Sequence, residues 1–206
     1  MNVALRATSM LACSIALFGC AGDPAPGSAD SAARADSGAG MATSTDSGAA
    51  PAGAAAGGGT VSIRDAAGRE FGMLTLAAAG TGTGISLSGT LRGMPPGEHG
   101  IHVHTVGRCD APAFETAGGH WNPTTKQHGT QNPQGPHHGD MMNITVGADS
   151  TATVQLTTQG GTLSGADALM DADGASVVVH ATADDYRTDP SGNSGARVAC
   201  GVINPS

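Results

Sequence analysis

Aromatic residues are nearly absent, with one Trp, one Tyr and three Phe in 206 residues. A core must therefore be built from Val, Ile, Leu and Ala. Basic residues are scarce as well: nine Lys and Arg face 17 Asp and Glu, for a net charge of −8. From Thr60 onward the balance is 13 acidic to seven basic. Nucleic-acid binding needs a basic face, and this chain has no such footprint. No stretch keeps an amphipathic helical period over several turns, so nothing points to a helical bundle. The best helical candidate, "SGADALMDADG", reads as loop. Long apolar runs are missing too: the one within "MNVALRATSMLACSIALFGC" stops at Cys20, too short to span a bilayer.

That N-terminal stretch has one Arg, then the apolar run, then polar linker, which is the layout of a secretory signal over residues 1–19. Its end, "LFGC", resembles a bacterial lipobox, implying a lipid on Cys20 that holds the protein to a membrane. Phe18 departs from the smaller residue usual there, and a plain cleaved signal is the alternative. Residues 20–59 are almost entirely Ala, Gly, Ser, Asp, Thr and Pro, with Met41 as the one large apolar side chain. Such a segment buries too little to offset its ordering entropy and is expected to be a disordered tether, leaving residues 60–206 as the domain. Cys13 leaves with the signal. Cys109 and Cys200 remain, and in an exported protein the simplest fate of such a pair is one disulfide.

What is abundant is glycine, 33 residues spread along the chain, between short alternating stretches: "TVSIRDA", "EFGMLTLAAA", "GISLSGTLRG", "GIHVHTV", "MNITV", "TATVQLTTQ" and "ASVVVHA". Each is rich in Val, Ile, Thr or Leu and bounded by turn residues, the pattern of an all-β antiparallel sandwich or barrel. Arg108 to Asp140 and Ala183 to Ala196 fit no strand. Loops of that length in a compact domain are expected to be functional.

All eight histidines lie between positions 99 and 180. On a strand, His102 and His104 at i and i+2 project from one face and can hold one ion between them, although two solvated strand histidines are the plainer alternative. The loop "GGHWNPTTKQHGTQNPQGPHHGD" adds His120, His128 and His137, with Asp140 three residues after the last. Three imidazoles and a carboxylate suit a tetrahedral zinc whose every position is filled by protein, hence structural. His180, closing "SVVVH", completes with His102 and His104 an all-imidazole group of the type that suits copper. One redox-active and one redox-silent ion together suggest one-electron chemistry.

In order and spacing, "GIHVH", "GGHWNPTTKQHG", "GPHHGD", "VVVHATADD" and "GNSGARVACGVI" resemble the copper/zinc superoxide dismutase family, and the lipoprotein-like start is similar to its bacterial branch. The resemblance runs from about Thr60 to Pro205. It implies a Greek-key antiparallel sandwich or barrel with two long functional loops, and it implies roles by position. His102, His104 and His180 match copper ligands, and His120 matches the imidazolate shared between copper and zinc. His128, His137 and Asp140 match the other zinc ligands, the step of nine from His128 favouring His137 over its neighbour His138. Asp184 looks like the carboxylate that accepts a hydrogen bond from one ligand of each metal, and His99 like a buried structural histidine behind the copper. Cys109 and Cys200 match the family's disulfide, and Arg197 its active-site arginine.

The resemblance further implies superoxide as substrate, dismutated to dioxygen and hydrogen peroxide, with His120 taking up and returning a proton. Export implies protection of the cell envelope. Departures are few: Met142 stands where Pro or Gly is common, Trp121 replaces a more frequent Phe and is expected to be loop packing, and the short segment before Arg197 carries mixed charges, Asp185, Arg187 and Asp189. A metal-binding module without turnover would be expected to lack a copper ligand or the arginine, and both are present. Hydrolysis at zinc needs an open position that three His and an Asp do not leave. The strands leave a homodimer open.

Overall fold

The computed structural model describes residues 57–206 apart from 81, 166 and 167. The signal-like residues 1–19, Cys20 and most of the Ala/Gly/Ser segment lie outside the described residues. Nine strands and one 3-10 turn follow in order: β1 (Gly59–Asp65), β2 (Glu70–Ala78), β3 (Ile85–Arg92), β4 (Gly97–His99), β5 (Ile101–His104), the turn Glu115–Ala117, β6 (Ile144–Val146), β7 (Thr151–Thr157), β8 (Ser176–His180) and β9 (Arg197–Pro205). Among the described residues there is no α-helix. All seven stretches read from the sequence are strands. Two strands escaped that reading: β4, which is too short to show a period, and β9, whose "RVACGVINP" breaks alternation with Gly201 and ends on a proline.

Strand pairing is antiparallel throughout, in the order β5-β8-β9-β1-β2-β3-β7, with β4 and β6 forming a separate two-stranded ribbon beside β7. The sheet curls into a half-barrel. Its Greek-key character lies in the non-consecutive neighbours: β3 pairs with β7, and β9 returns to pair with β1. Period-2 alternation sets which face is buried. Val61 and Ile63 of β1, Leu74 and Leu76 of β2, Ile85, Leu87 and Leu91 of β3, and Val154 of β7 all point inward with at most 1% exposure. A bulge between Ile63 and Arg64 of β1 shifts the register against β2, so that Phe71 and Leu74, three apart, are both buried.

Strands β5 and β8 differ from the rest, because every residue in them is buried. One face of the pair, Ile101 and Val103 opposite Val179 and Val177, belongs to the core. The other carries His102, His104, Val178 and His180 and is roofed by the two long loops. That second covering explains why a strand of a one-sided sheet tolerates two histidines with no exposure at all. The disulfide Cys109–Cys200 forms, with Cα atoms 5.7 Å apart, and it packs with Phe114, Ala117 and Val178 beneath the first loop. Trp121 is buried against the core as loop packing, with Gly161, in the left-handed region at φ 81°, lying flat on its ring where any Cβ would collide.

Candidate metal centre

Strand β5 is an edge of the main sheet, and the first long loop pairs with it on both sides of its own reversal. Thr105 N–H donates to Gly119 O (3.0 Å), Trp121 N–H to Val103 O (2.8 Å) and Val103 N–H to Gly139 O (3.0 Å). His104 and His120 face each other across an isolated bridge. A segment without strand signal is thus held as an extra strand beside β5, and His120 is delivered to the histidine face. The second loop is anchored similarly, by Ala181 N–H to Ala196 O (2.8 Å) and Thr182 N–H to Ser194 O (3.0 Å).

Three groups result, each with its candidate ligand atoms within 4.8 Å of one another: a first cluster of His102, His104, His120 and His180, a second of His120, His128, His137 and Asp140, and a smaller one of His102, His128 and Asp184 that links them. All are buried. In the first cluster, His102 Nδ1, His104 Nε2, His120 Nε2 and His180 Nε2 are buried with no hydrogen-bond partner. The opposite nitrogen of each ring is held: His102 Nε2 by Asp184 Oδ2 (2.7 Å), His104 Nδ1 by Gly118 O (3.0 Å), His120 Nδ1 by Asp140 Oδ1 (2.9 Å) and His180 Nδ1 by Gly195 O (3.2 Å). Four orphaned imidazole nitrogens converging in a dry place fit a metal that prefers nitrogen donors, since an unpaired buried polar atom otherwise costs on the order of 1–3 kcal/mol.

The second cluster is tighter. Asp140 Oδ1 lies 2.9 Å from His120 Nδ1, 3.0 Å from His128 Nδ1 and 3.3 Å from His137 Nδ1, while His137 Nδ1 and His120 Nδ1 are 3.4 Å apart. A tetrahedron around an ion with bonds of about 2.0–2.1 Å has edges of roughly 3.3 Å, so these spacings fit zinc. Asp140 Oδ2 is occupied by the N–H groups of Gly129 and His137, both at 2.9 Å, which aims Oδ1 at the rings. Asp184 joins the clusters from behind, its Oδ1 meeting His128 Nε2 at 3.0 Å.

Burial dominates the proton affinities of the all-imidazole set. It pushes His102 down to about 3, helped by the neighbouring His120 ring and opposed by Asp184, and His180 down to about 4. His104 falls well below its usual value and His120 also falls, burial leading in both. Burial alone would raise Asp140, but hydrogen bonds from the rings of His120, His128 and His137 outweigh it and hold the carboxyl far below the usual range. Asp184 is lowered in the same manner by His102 and His128. His128 goes the other way: burial opposes its charge, yet Asp140 and Asp184 together raise it to about 9.

A cleft of about 460 Å³ opens onto the first cluster, lined by His104, His120, His180, Lys126, Asp189 and Arg197. Arg197 is half-buried and tied down, Nη1 donating to Phe114 O (2.8 Å) and Nη2 to Gly118 O (2.7 Å). Phe114 itself sits at φ 55°, a left-handed conformation that turns the chain at the start of the 3-10 turn.

Of the site residues expected from the sequence, the seven candidate ligands, Asp184 and Arg197 lie in this centre and His99 lies against it, the Cys109–Cys200 pair packs beneath the first loop, and Cys20 lies outside the described residues. His99 is buried, with Nδ1 on His180 O (2.8 Å) and Nε2 on Pro95 O (3.0 Å), so neither nitrogen turns to a cluster. His138 packs its ring against Trp121, 5.3 Å between centroids, outside both ligand sets. Other contributors were not legible. Asn143 clamps Asp184, its Oδ1 accepting the Asp184 N–H (2.8 Å) and its Nδ2 donating to Asp184 O (3.0 Å), while its own N–H donates to the Tyr186 hydroxyl (3.0 Å). Gly192, at φ 63°, leaves room for Asp184 Oδ1 and His128 Nε2 where a Cβ would strike both. Its place in a Gly-rich loop was its one signal.

A model of the family copper/zinc superoxide dismutase (SODC) matches residues 71–203. The chain belongs to the copper/zinc superoxide dismutase family. Superoxide dismutation is accordingly its reaction, and copper and zinc are its cofactors. A Superoxide dismutase [Cu-Zn] of Caulobacter vibrioides is 42% identical over 148 residues, covering 70% of this chain and 84% of that protein. Superoxide dismutase [Cu-Zn] 2 of Aquifex aeolicus is 41% identical over 126 residues, covering 60% and 74%. Among solved structures, a SOD-like protein from Bacillus subtilis superposes with a TM-score of 0.66 at 36% identity, over 69% of this chain and 96% of that one. The clock protein EA4 superposes with a TM-score of 0.61 at 32% identity, over 72% and 94%.

Proposed function

We propose that this member of the family holds copper with His102, His104, His120 and His180 and zinc with His120, His128, His137 and Asp140, and that the copper side turns over superoxide. One observation supports the division above all. His120 turns an unpartnered Nε2 into the all-imidazole set and its Nδ1 into the carboxylate-containing set, so a single ring is aimed at both. When bound, copper supplies a one-electron couple, so that two superoxide anions and two protons become dioxygen and hydrogen peroxide. His120, His128, His137 and Asp140 would hold a redox-silent zinc and through it tie down the loop that carries them.

The protein's own part is capture, orientation and proton handling. Arg197 presents a permanent positive charge in the cleft beside His104, His120 and His180, where a small anion docks. His120 Nε2, with its other nitrogen engaged, is the atom that holds a proton between the two halves of the cycle and passes it to the product. Asp184, bonded to His102 and His128 at once, keeps the two ligand sets in register. Little of the barrier remains for chemistry, so anion capture sets the rate.

Replacing His120 by Ala, with both metals resupplied, is expected to abolish fast superoxide consumption in a pulse-decay assay and to lower the metal content per chain. Undiminished turnover in that variant would remove the shared ring from the reaction. We further propose that the enzyme is exported, lipidated on Cys20 and active at the cell envelope, a reading that rests on the signal-like N-terminus and "LFGC". Fatty-acid labelling of the chain in its host, lost on Cys20→Ala, is the expected result, and an unlabelled wild-type chain refutes the anchor.

A further inference from the structure

Six histidine rings face the two ligand sets, and five have both nitrogens accounted for. His102 and His128 give their second nitrogen to Asp184, His104 and His180 give theirs to the carbonyls of Gly118 and Gly195, and His120 is shared. His137 is left over. Its Nδ1 faces Asp140 Oδ1 at 3.3 Å, and among the described residues no hydrogen bond involves its Nε2. The group standing opposite that nitrogen is Asp189 Oδ1, 3.9 Å away.

The gap is informative. It is longer than a hydrogen bond, and both residues line the cleft, where the carboxylate has room to move toward the ring. Closing it takes a movement of about 1 Å. The carboxylate is also not a free surface charge, although half of its side chain is exposed: Oδ1 accepts the backbone N–H of His128 at 2.6 Å, so the second loop is stapled to the first at a residue of the same ligand set. One acidic group thus grips the chain at His128 and faces the ring of His137.

We propose that Asp189 is the positioning residue of His137. With Nδ1 of His137 committed to zinc, the ring's proton lies on Nε2, and the carboxylate of Asp189 accepts it, fixing the tautomer and the plane of the ring. Asp189 then does for His137 what Asp184 does for His128. The proposal rests on the reading of His120, His128, His137 and Asp140 as the zinc set, and its test separates the two.

Zinc affinity is measured by chelator competition, with the visible spectrum of the cobalt-substituted protein as a second readout, on wild type, Asp189→Ala, Asp189→Asn, His137→Ala and the double variant. Asp189→Ala is expected to weaken zinc binding about 10- to 100-fold, the range usual for partners just outside a metal's ligands. Asp189→Asn, which keeps an oxygen for the His128 N–H, is expected to lose less and to shift the cobalt spectrum. In the His137→Ala background the same Asp189→Ala change is expected to cost clearly less than in wild type, since only its grip on the His128 N–H is left to lose. An equal loss in both backgrounds means that Asp189 only braces the loops, and no loss in either means that it is a bystander; both overturn the proposal. If instead His137→Ala leaves zinc affinity untouched, the zinc set itself has been misassigned.

Discussion

Arg197 and His104 meet on a single acceptor, the carbonyl oxygen of Gly118, which takes Arg197 Nη2 at 2.7 Å and His104 Nδ1 at 3.0 Å. A guanidinium and an imidazole that face one cleft are thereby fixed relative to each other by one peptide of the first loop. That loop is tied to β9 a second time through Cys109–Cys200, so the distance between the Arg197 guanidinium and the all-imidazole set is set by covalent and hydrogen-bonded restraints together.

Substituting Arg197 by Ala should lower kcat/KM for superoxide about 10- to 100-fold, the worth of one directed hydrogen bond to a charged group. Arg197→Lys should recover part of this, because charge persists while the fork that reaches Phe114 O and Gly118 O does not. Stopped-flow decay of superoxide at matched copper content measures both. A wild-type rate in the Ala variant is the contrary result.

In protein stripped of metal, stability should fall as pH drops from about 6.5 toward 4. His102 at about 3 and His180 at about 4, with His104 and His120 also lowered, stay neutral in the fold while the unfolded chain takes up protons near 6.5. More protons on the unfolded state means that stability rises with pH across this window, by about 1.4 kcal/mol per pH unit for each such histidine. His128, raised to about 9, contributes in full below 6.5 and loses its contribution progressively between 6.5 and 9, so it does not oppose the trend within this window. Urea midpoints at pH 6.5 and pH 4.5 report the difference, and equal midpoints would contradict it.

Zinc uptake at pH 8 should release about one proton, because the ring of His128, held charged by Asp140 and Asp184, must give up the proton on Nδ1 to bind the ion. The release should vanish well above pH 9. Calorimetric titrations in two buffers of unlike ionisation enthalpy count the proton directly, and identical heats in both would show that none leaves.

Converting Cys109 and Cys200 to Ser should lower the melting temperature of the loaded protein by about 5–15 °C, corresponding to about 2–4 kcal/mol for a closed loop with a sequence separation of 91 residues. Superoxide turnover should drop as well, since Arg197 depends on the same loop. Scanning calorimetry decides the first part, and an unchanged melting temperature would mean that the backbone pairing beside β5 suffices.

Much of the centre could be read before any fold was known, for a chemical reason. Metal sites gather His and Asp, which are otherwise uncommon in apolar alternation, so "IHVH", "GGHW" and "PHHGD" stand out against Val- and Thr-rich surroundings. Alternation was equally plain in β1, β3 and β7, and in β2 from Leu74 onward, where a single buried face repeats every second residue. It was unreadable in β4, which is three residues long, and in β9, where buried Ala199, Cys200 and Gly201 run consecutively. Asp189 looked like one of three mixed surface charges, because nothing local reveals that its oxygen lies 2.6 Å from the N–H of His128, 61 residues earlier.

By itself the sequence determined the chemistry available: seven candidate ligands of two kinds, Arg197, the Cys109 and Cys200 pair, and a β-rich frame poor in aromatics and basic groups. Tertiary structure alone decided which nitrogen of each ring is free and which is held, because that depends on carbonyls of Gly118 and Gly195 and carboxylates of Asp140 and Asp184 brought in from distant loops. Orientation at a metal is a matter of a few tenths of an ångström between segments far apart in the chain. Residue order specifies the partners, and only packing sets the angles at which they meet.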